Sequence, residues 1–236
     1  ATQNFSTSTD VYNTAVGLSA GKLVTTGKFN VLVGGLAGDA LTDADNNVAV
    51  GTSTLSNDTL GSKSTAIGHS ALANQNFTTA TDTFNTAVGH EAGNQITTGT
   101  ENTLIGGLSG DAITTGIRNV AVGSYALSTN VAGDQSVAVG HGALFTQNPS
   151  GNADMNNTAV GFNAGQAVTT GISNTLIGGL CCGSMTTNTE MTAVGFGLAS
   201  GATTGRSREI LIGSNGTSGG SNTARFITSA GSATLN

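Results

Sequence analysis

Three histidines, one pair of adjacent cysteines and one acidic cluster are the residues of this chain best suited to chemistry. His69, His90 and His141 each follow a glycine directly. Imidazoles at one recurring place would stack on successive turns of a repeating fold, and stacked imidazoles invite a metal ion. No second column of ligands accompanies them, and Leu18, Gly35, Thr52, Phe162 and Phe196 fill the same place elsewhere. A variable surface column is therefore the preferred reading, and no metal site is assigned. Asp43, Asp45, Asn46 and Asn47 could hold Ca²⁺, but they lack the loop glycine and closing Glu of a calcium loop. The Gly-rich run at 34–39, GGLAGD, has neither a following helix nor a lysine to cradle phosphate. Cys181 falls in a column of small residues and is expected to fill a core, with Cys182 beside it. Two buried thiols are preferred to a strained vicinal disulfide. No Ser/His/Asp arrangement or carboxylate pair stands out. The chain is not expected to be an enzyme or to need a cofactor.

The elements that would position these residues are set by a five-residue stretch, NTAVG at 13–17, which returns in variants through NVAVG at 47–51, NTLIG at 102–106 and SVAVG at 136–140 to EILIG at 209–213. Its closing residue is always glycine: Gly17, Gly34, Gly51, Gly68, Gly89, Gly106, Gly123, Gly140, Gly161, Gly178, Gly195 and Gly213. Most steps are 17 residues, and two are 21. Three steps of 17 and one of 21 make a 72-residue cycle, begun at Gly17, Gly89 and Gly161. A short fixed period of this kind is the signature of a solenoid, in which each turn covers its neighbour. The expected fold is all-β: a parallel β-solenoid, or β-roll, of about twelve 17-residue coils in three super-repeats.

Composition agrees. The chain has 36 glycines, one proline, no Trp and 8% charged residues. Seven Lys plus Arg against thirteen Asp plus Glu leave a net charge of −6, so nucleic acid is not an expected partner. No apolar run approaches the 18 or so residues of a membrane-spanning helix. The first residues, ATQNFSTSTD, lack the pattern of a signal peptide, so a targeting segment is expected to be absent or already removed.

Within each copy, the residue before the glycine is Val or Ile, and that column is expected to be core. Thr, Val or Ile two residues earlier shares its face, while the Ala or Leu between them points the other way. Both faces are thus largely apolar, which calls for cover by neighbouring coils and by other chains. Asn, which opens eight of the twelve copies, is expected in turns or stacked on the Asn one coil away. A recurring Thr eight residues past the glycine suggests an ice-binding face, but Asn76, Val131 and Asn148 break that column.

Three regions are expected: residues 1–12 as a partial coil or junction, 13–213 as the solenoid, and 214–236 as a shortened capping or junction coil. In the last, Asn222-Thr223-Ala224 begins another copy. The two long coils must bulge, and Phe5, Tyr12, Phe77 and Phe84 gather near such segments, either as candidate surface contacts or folded back over the coil edge.

The NTAVGxxAG units resemble the head repeats of trimeric autotransporter adhesins and are similar to repeats of phage tail fibres. That resemblance covers about 13–213. It implies a parallel β-roll in which three chains wrap one axis and bind a host surface, a glycan or a protein receptor. The chain is accordingly expected to be extracellular, on a cell surface or in a virion tail fibre, and to pair with itself. Alternatives are a head-to-tail bacterial surface filament and a β-helical polysaccharide-processing enzyme.

Overall fold

The computed structural model describes residues 10–198, 205, 207–216, 224–228 and 231–235. The chain divides into two units, residues 1–118 and 119–236, and each is an all-β parallel solenoid with no helix among the described residues. Among the described residues no helix is long and apolar enough to cross a membrane.

In the first unit the coil strands are β1 (Thr14–Val16), β2 (Val31–Val33), β3 (Val48–Val50), β5 (Thr65–Ile67), β7 (Thr86–Val88) and β8 (Thr103–Ile105). They stack in that order, parallel and residue on residue: Ala15 pairs with Leu32, Leu32 with Ala49, Ala66 with Ala87. A two-residue strand β4 (Gly61–Ser62) pairs with β6 (Thr81–Asp82) where the long coil lies. The expected bulge is there. Leu60 binds Phe77 O through its N–H at 3.1 Å and accepts the Thr81 N–H at 3.3 Å, so the chain leaves the ladder after Phe77 and rejoins it at Thr81. Thr78, Thr79 and Ala80 between them are exposed.

The second unit repeats the plan with β9 (Val120–Val122), β11 (Val137–Val139), β13 (Thr158–Val160), β14 (Thr175–Ile177), β15 (Thr192–Val194) and β16 (Ile210–Gly213). Its long coil carries β10 (Gly133–Asp134) paired with β12 (Ala153–Asp154). β17 (Ala224–Thr228) adds in parallel to β16, and β18 (Gly231–Leu235) then turns back antiparallel. The register sets Arg225 opposite Leu211, one residue away from the alignment that the Asn222-Thr223-Ala224 copy suggests.

The core corrects one expectation. The Ala/Leu column is inside, from Leu32, Ala49 and Ala66 to Ala159, Leu176 and Leu211, each no more than 1% exposed. The Val/Ile column faces outward, half-buried or exposed, as at Ile67 and Ile105. The reason is volume. Each coil encloses a slot filled from three places: the strand centre, the residue six positions on and the residue nine positions on. Where the second is Gly, the third is apolar: Gly38 with Leu41, Gly93 with Ile96, Gly110 with Ile113, Gly165 with Val168. Where the second is Leu, the third is polar: Leu55 with Asp58, Leu72 with Gln75, Leu127 with Asn130, Leu144 with Gln147. A Cβ on Gly38 would lie 2.7 Å from Leu41 Cδ1 and 2.8 Å from Leu32 Cδ2, so the slot has no spare methyl. Cys181 and Cys182 belong to this interior as free, buried thiols. The neighbouring Cys181 thiol and burial together push the Cys182 thiol far above its ordinary range.

The polar counterpart is a buried amide ladder. Asn30 Oδ1 accepts the Asn47 N–H at 2.9 Å, and Asn47 Oδ1 accepts the Ser64 N–H at 2.8 Å. Their Nδ2 groups donate to Ala44 O at 2.7 Å and Gly61 O at 2.9 Å. The same bonds recur at Asn102, which donates to Gly116 O, and at Asn157 and Asn174 of the second unit. Each side chain thus closes its own turn and binds the next coil, satisfying backbone groups that burial would otherwise orphan. Thr25, Thr42 and Thr97 donate their hydroxyls to the carbonyls of Thr42, Thr59 and Thr114 at 3.1–3.2 Å. The Thr column is therefore used between coils and is not a free hydroxyl array.

Turning the chain this tightly needs left-handed backbone outside glycine. The residue before the strand-opening Asn or Ser holds it, as at Phe29 (φ 58°), Lys63 (63°) and Phe84 (51°). So does the second residue past the closing glycine, as at Leu36 (60°), Ser53 (57°) and Glu91 (54°). The interior Leu55 (48°) and Leu72 (50°) make a third such column.

Candidate interaction surface

The outward face of each strand carries two side chains, and in the first unit the second is always Val or Ile: Val16, Val33, Val50, Ile67, Val88 and Ile105. The first is Thr or Val, as at Thr65 and Val48. Parallel stacking covers the flanks of each residue but not its outer surface, which leaves Ile67 38% and Ile105 39% exposed. The second unit shows the same face, with Ile177, Val194 and Ile212 exposed. A solvated strand normally alternates polar outside and apolar inside. A continuous β-branched stripe on the outside of a filled coil is the kind of apolar surface that marks an interaction site.

Two irregular columns border this stripe. One is the left-handed residue before each strand-opening Asn or Ser. Tyr12 stacks on Phe29 with ring centroids 5.6 Å apart. Lys63 Nζ lies 5.2 Å above the Phe84 ring and 2.6 Å from Asp82 Oδ2, and Arg118 Nε meets Glu101 Oε2 at 3.1 Å. The other column follows the closing glycine. His69 and His90 stack at 5.2 Å there, and His141 stacks on Phe162 at 5.5 Å.

The candidate aromatic contacts divide. Tyr12 and Phe84 are exposed. Phe77 is not: it is 7% exposed, folded under its loop, with its N–H held by Asp58 Oδ1 at 3.0 Å. Phe5 lies outside the described residues. Phe29, Phe162 and Phe196 are exposed aromatics that an emphasis on the long coils overlooks. Their shared signal is position, since all sit immediately beside a strand.

The acidic cluster does not converge on an ion. Asp43 accepts the Thr26 hydroxyl, and Asp45 Oδ1 accepts the Lys28 N–H at 2.6 Å, so both carboxylates bind the preceding coil. Asn47 belongs to the amide ladder. Asp39 is different: its Oδ1 is buried without a hydrogen-bond partner. Burial raises its pKa, opposed by its own backbone N–H and by Lys22. A folded-state pKa above the unfolded value means that the native state holds the extra proton and loses stability as pH rises through that pKa. Asp39→Asn is therefore expected to raise Tm at pH 7 by about 1–3 °C, with the gain vanishing near pH 3, where both side chains are neutral. Thermal melts at the two pH values check the sign.

Searches of protein-family models, curated proteins and solved structures find no match to this chain.

Proposed function

We propose that this chain is a non-enzymatic structural fibre protein that works outside the cell, on a cell surface or in a virion tail fibre. In this reading it assembles as a homotrimer and attaches to a host glycan or protein. A β-solenoid of stacked coils fits a fibre-like role. The observation that carries the reading is the outward Val/Ile stripe, because the interior of each coil is already filled by Ala and Leu and the stripe is left over. Covering a half-exposed Val or Ile is worth roughly 1 kcal/mol, and the stripe offers that gain in coil after coil. Identical stripes meeting around one axis would turn a solvent liability into a shared core. The two irregular columns, with their exposed aromatics, would then lie at the edges of the joint and remain open to a receptor. The adhesin and tail-fibre resemblance of the repeats points the same way.

Sedimentation equilibrium tests the assembly. At about 10 μM the chain is expected to sediment near 69 kDa, three times its 23.1 kDa mass. Val50→Glu with Ile67→Lys places opposite charges side by side on adjacent strands, which the coil tolerates and an apolar joint does not. That variant is expected to sediment as a monomer with unchanged far-ultraviolet circular dichroism. A wild-type chain that stays monomeric would overturn the trimer.

A further inference from the structure

We propose that His69, His90 and Glu91 form a surface site for one divalent transition-metal ion of the Zn²⁺ class. Strands β5 and β7 pair Ile67 with Val88, so His69 and His90 stand two residues past matched strand ends on consecutive coils. The intervening coil is a long one, but its excursion at 78–80 leaves this register intact. A Cβ on Gly68 would lie 2.4 Å from Gly89 O, which shows how closely the two coils run beside the histidines. The third donor comes from a backbone turn. Glu91 is left-handed at φ 54°, and its N–H donates to His69 O at 2.9 Å. This brings its carboxylate within 3.8 Å of His90 Nε2. One ligand atom from each of the three residues lies within 4.8 Å of the others.

Two imidazole nitrogens and one carboxylate oxygen on one side of an ion leave a further position for water, the usual open zinc arrangement. At Zn–N distances of about 2.0–2.1 Å, neighbouring ligand atoms sit roughly 3.3 Å apart. The rings must therefore splay from their stack, which rotations about their side-chain bonds allow. His90 and Glu91 side chains are 62% and 38% exposed, so an ion can reach them without opening a coil. Imidazole with carboxylate suits Zn²⁺, Ni²⁺ or Cu²⁺, whereas Mg²⁺ and Ca²⁺ prefer all-oxygen sites. A bound ion would tie two coils together beside the long coil.

The chain carries its own control. Seventy-two residues on, His141 replaces His69, but Phe162 and Asn163 replace His90 and Glu91. His141 and Phe162 still stack, and Asn163 keeps the left-handed backbone at φ 52°. Ring stacking and the turn thus persist where two of the three donors are gone. His90→Phe with Glu91→Asn copies that arrangement and is expected to fold.

The experiment uses the full chain without a polyhistidine tag, stripped with EDTA and titrated with ZnCl₂ by calorimetry. One equivalent is expected to bind with micromolar affinity, raising Tm by roughly 5–10 °C at 100-fold excess over Kd. Cu²⁺ in place of Zn²⁺ should give an electron paramagnetic resonance spectrum with two nitrogen ligands. His90→Phe/Glu91→Asn should weaken Zn²⁺ binding at least about tenfold with unchanged circular dichroism. If that pair fails to fold, Glu91→Gln retains both rings and should still weaken binding. No saturable binding up to about 1 mM ZnCl₂, or full affinity in the folded variants, would overturn the site.

Discussion

Gly89→Val is expected to lower stability by about 4 kcal/mol or more and Tm by more than about 10 °C. Two effects add. Gly89 holds φ +142°, which a β-branched residue resists. A Cβ there would lie 2.5 Å from Gly106 O and 2.6 Å from Gly106 C. Those atoms are backbone of the next coil, so relief requires the coils to part and the strand ladder to open. The same approach recurs at Gly17, Gly34, Gly51 and Gly68, each with its would-be Cβ 2.4–2.5 Å from the next glycine oxygen. Calorimetric melting decides the matter. A shift of less than about 3 °C would mean that the coils separate cheaply.

Gln75→Ala is expected to cost about 3–4 kcal/mol, because the amide completes the polar ladder where Ser64 interrupts it. Gln75 Nε2 donates to Asp58 Oδ2 at 2.6 Å and to Ser64 Oγ at 2.9 Å. Its Oε1 accepts from Asn85 Nδ2 at 2.9 Å. All four residues are no more than 1% exposed, so water cannot replace what is lost. Gln147 plays the same part with Ser136 and Asn157. There, however, Asn130 pairs with both polar groups of Gly133, so Gln147→Ala is expected to cost about 1 kcal/mol less. Ser64→Asn would bring an amide back to the ladder position and should recover part of the Gln75→Ala loss. Denaturant titrations of the two singles and the double give the coupling. Purely additive losses would remove the shared network as the cause. Gln95→Ala, at an exposed amide, should change stability by less than about 0.5 kcal/mol.

Much of the fold was legible in the repeat. The 17-residue spacing, the strand at each NTAVG copy, the bulged long coils and the buried Cys181 column all follow from it. Which strand face points inward did not follow from hydropathy, since Ala/Leu and Val/Ile are both apolar. The deciding signal was size. A Leu at the strand centre never meets a Leu six positions on: Leu32 accompanies Gly38, Ala49 accompanies Leu55 and Ala87 accompanies Gly93, and only side chains that share a space exclude one another in this way. The Val/Ile column shows no such compensation. At the histidines, column periodicity points to ligands one coil away. Glu91 escapes it because it adjoins His90 in the same coil, and only the left-handed turn brings its carboxylate round. For Phe77 the sequence leaves a surface contact and a fold back over the coil edge both open, and the second holds because the exposed loop begins after it.

Left-handed turns at non-glycine residues bear on how many coils a stack of this kind needs. Two or three per coil, at roughly 1 kcal/mol each, place about 2–3 kcal/mol of backbone strain in a coil before it meets a neighbour. The amide ladder and the strand hydrogen bonds that offset it lie between coils. A stack of n coils carries n such costs and shares n−1 junctions, so one coil alone is uphill and each addition improves the balance. Such a chain orders like a one-dimensional crystal: a nucleus of several coils is rare, and extension from an existing edge, which already presents the Asn, Gly and Leu of the next junction, is fast.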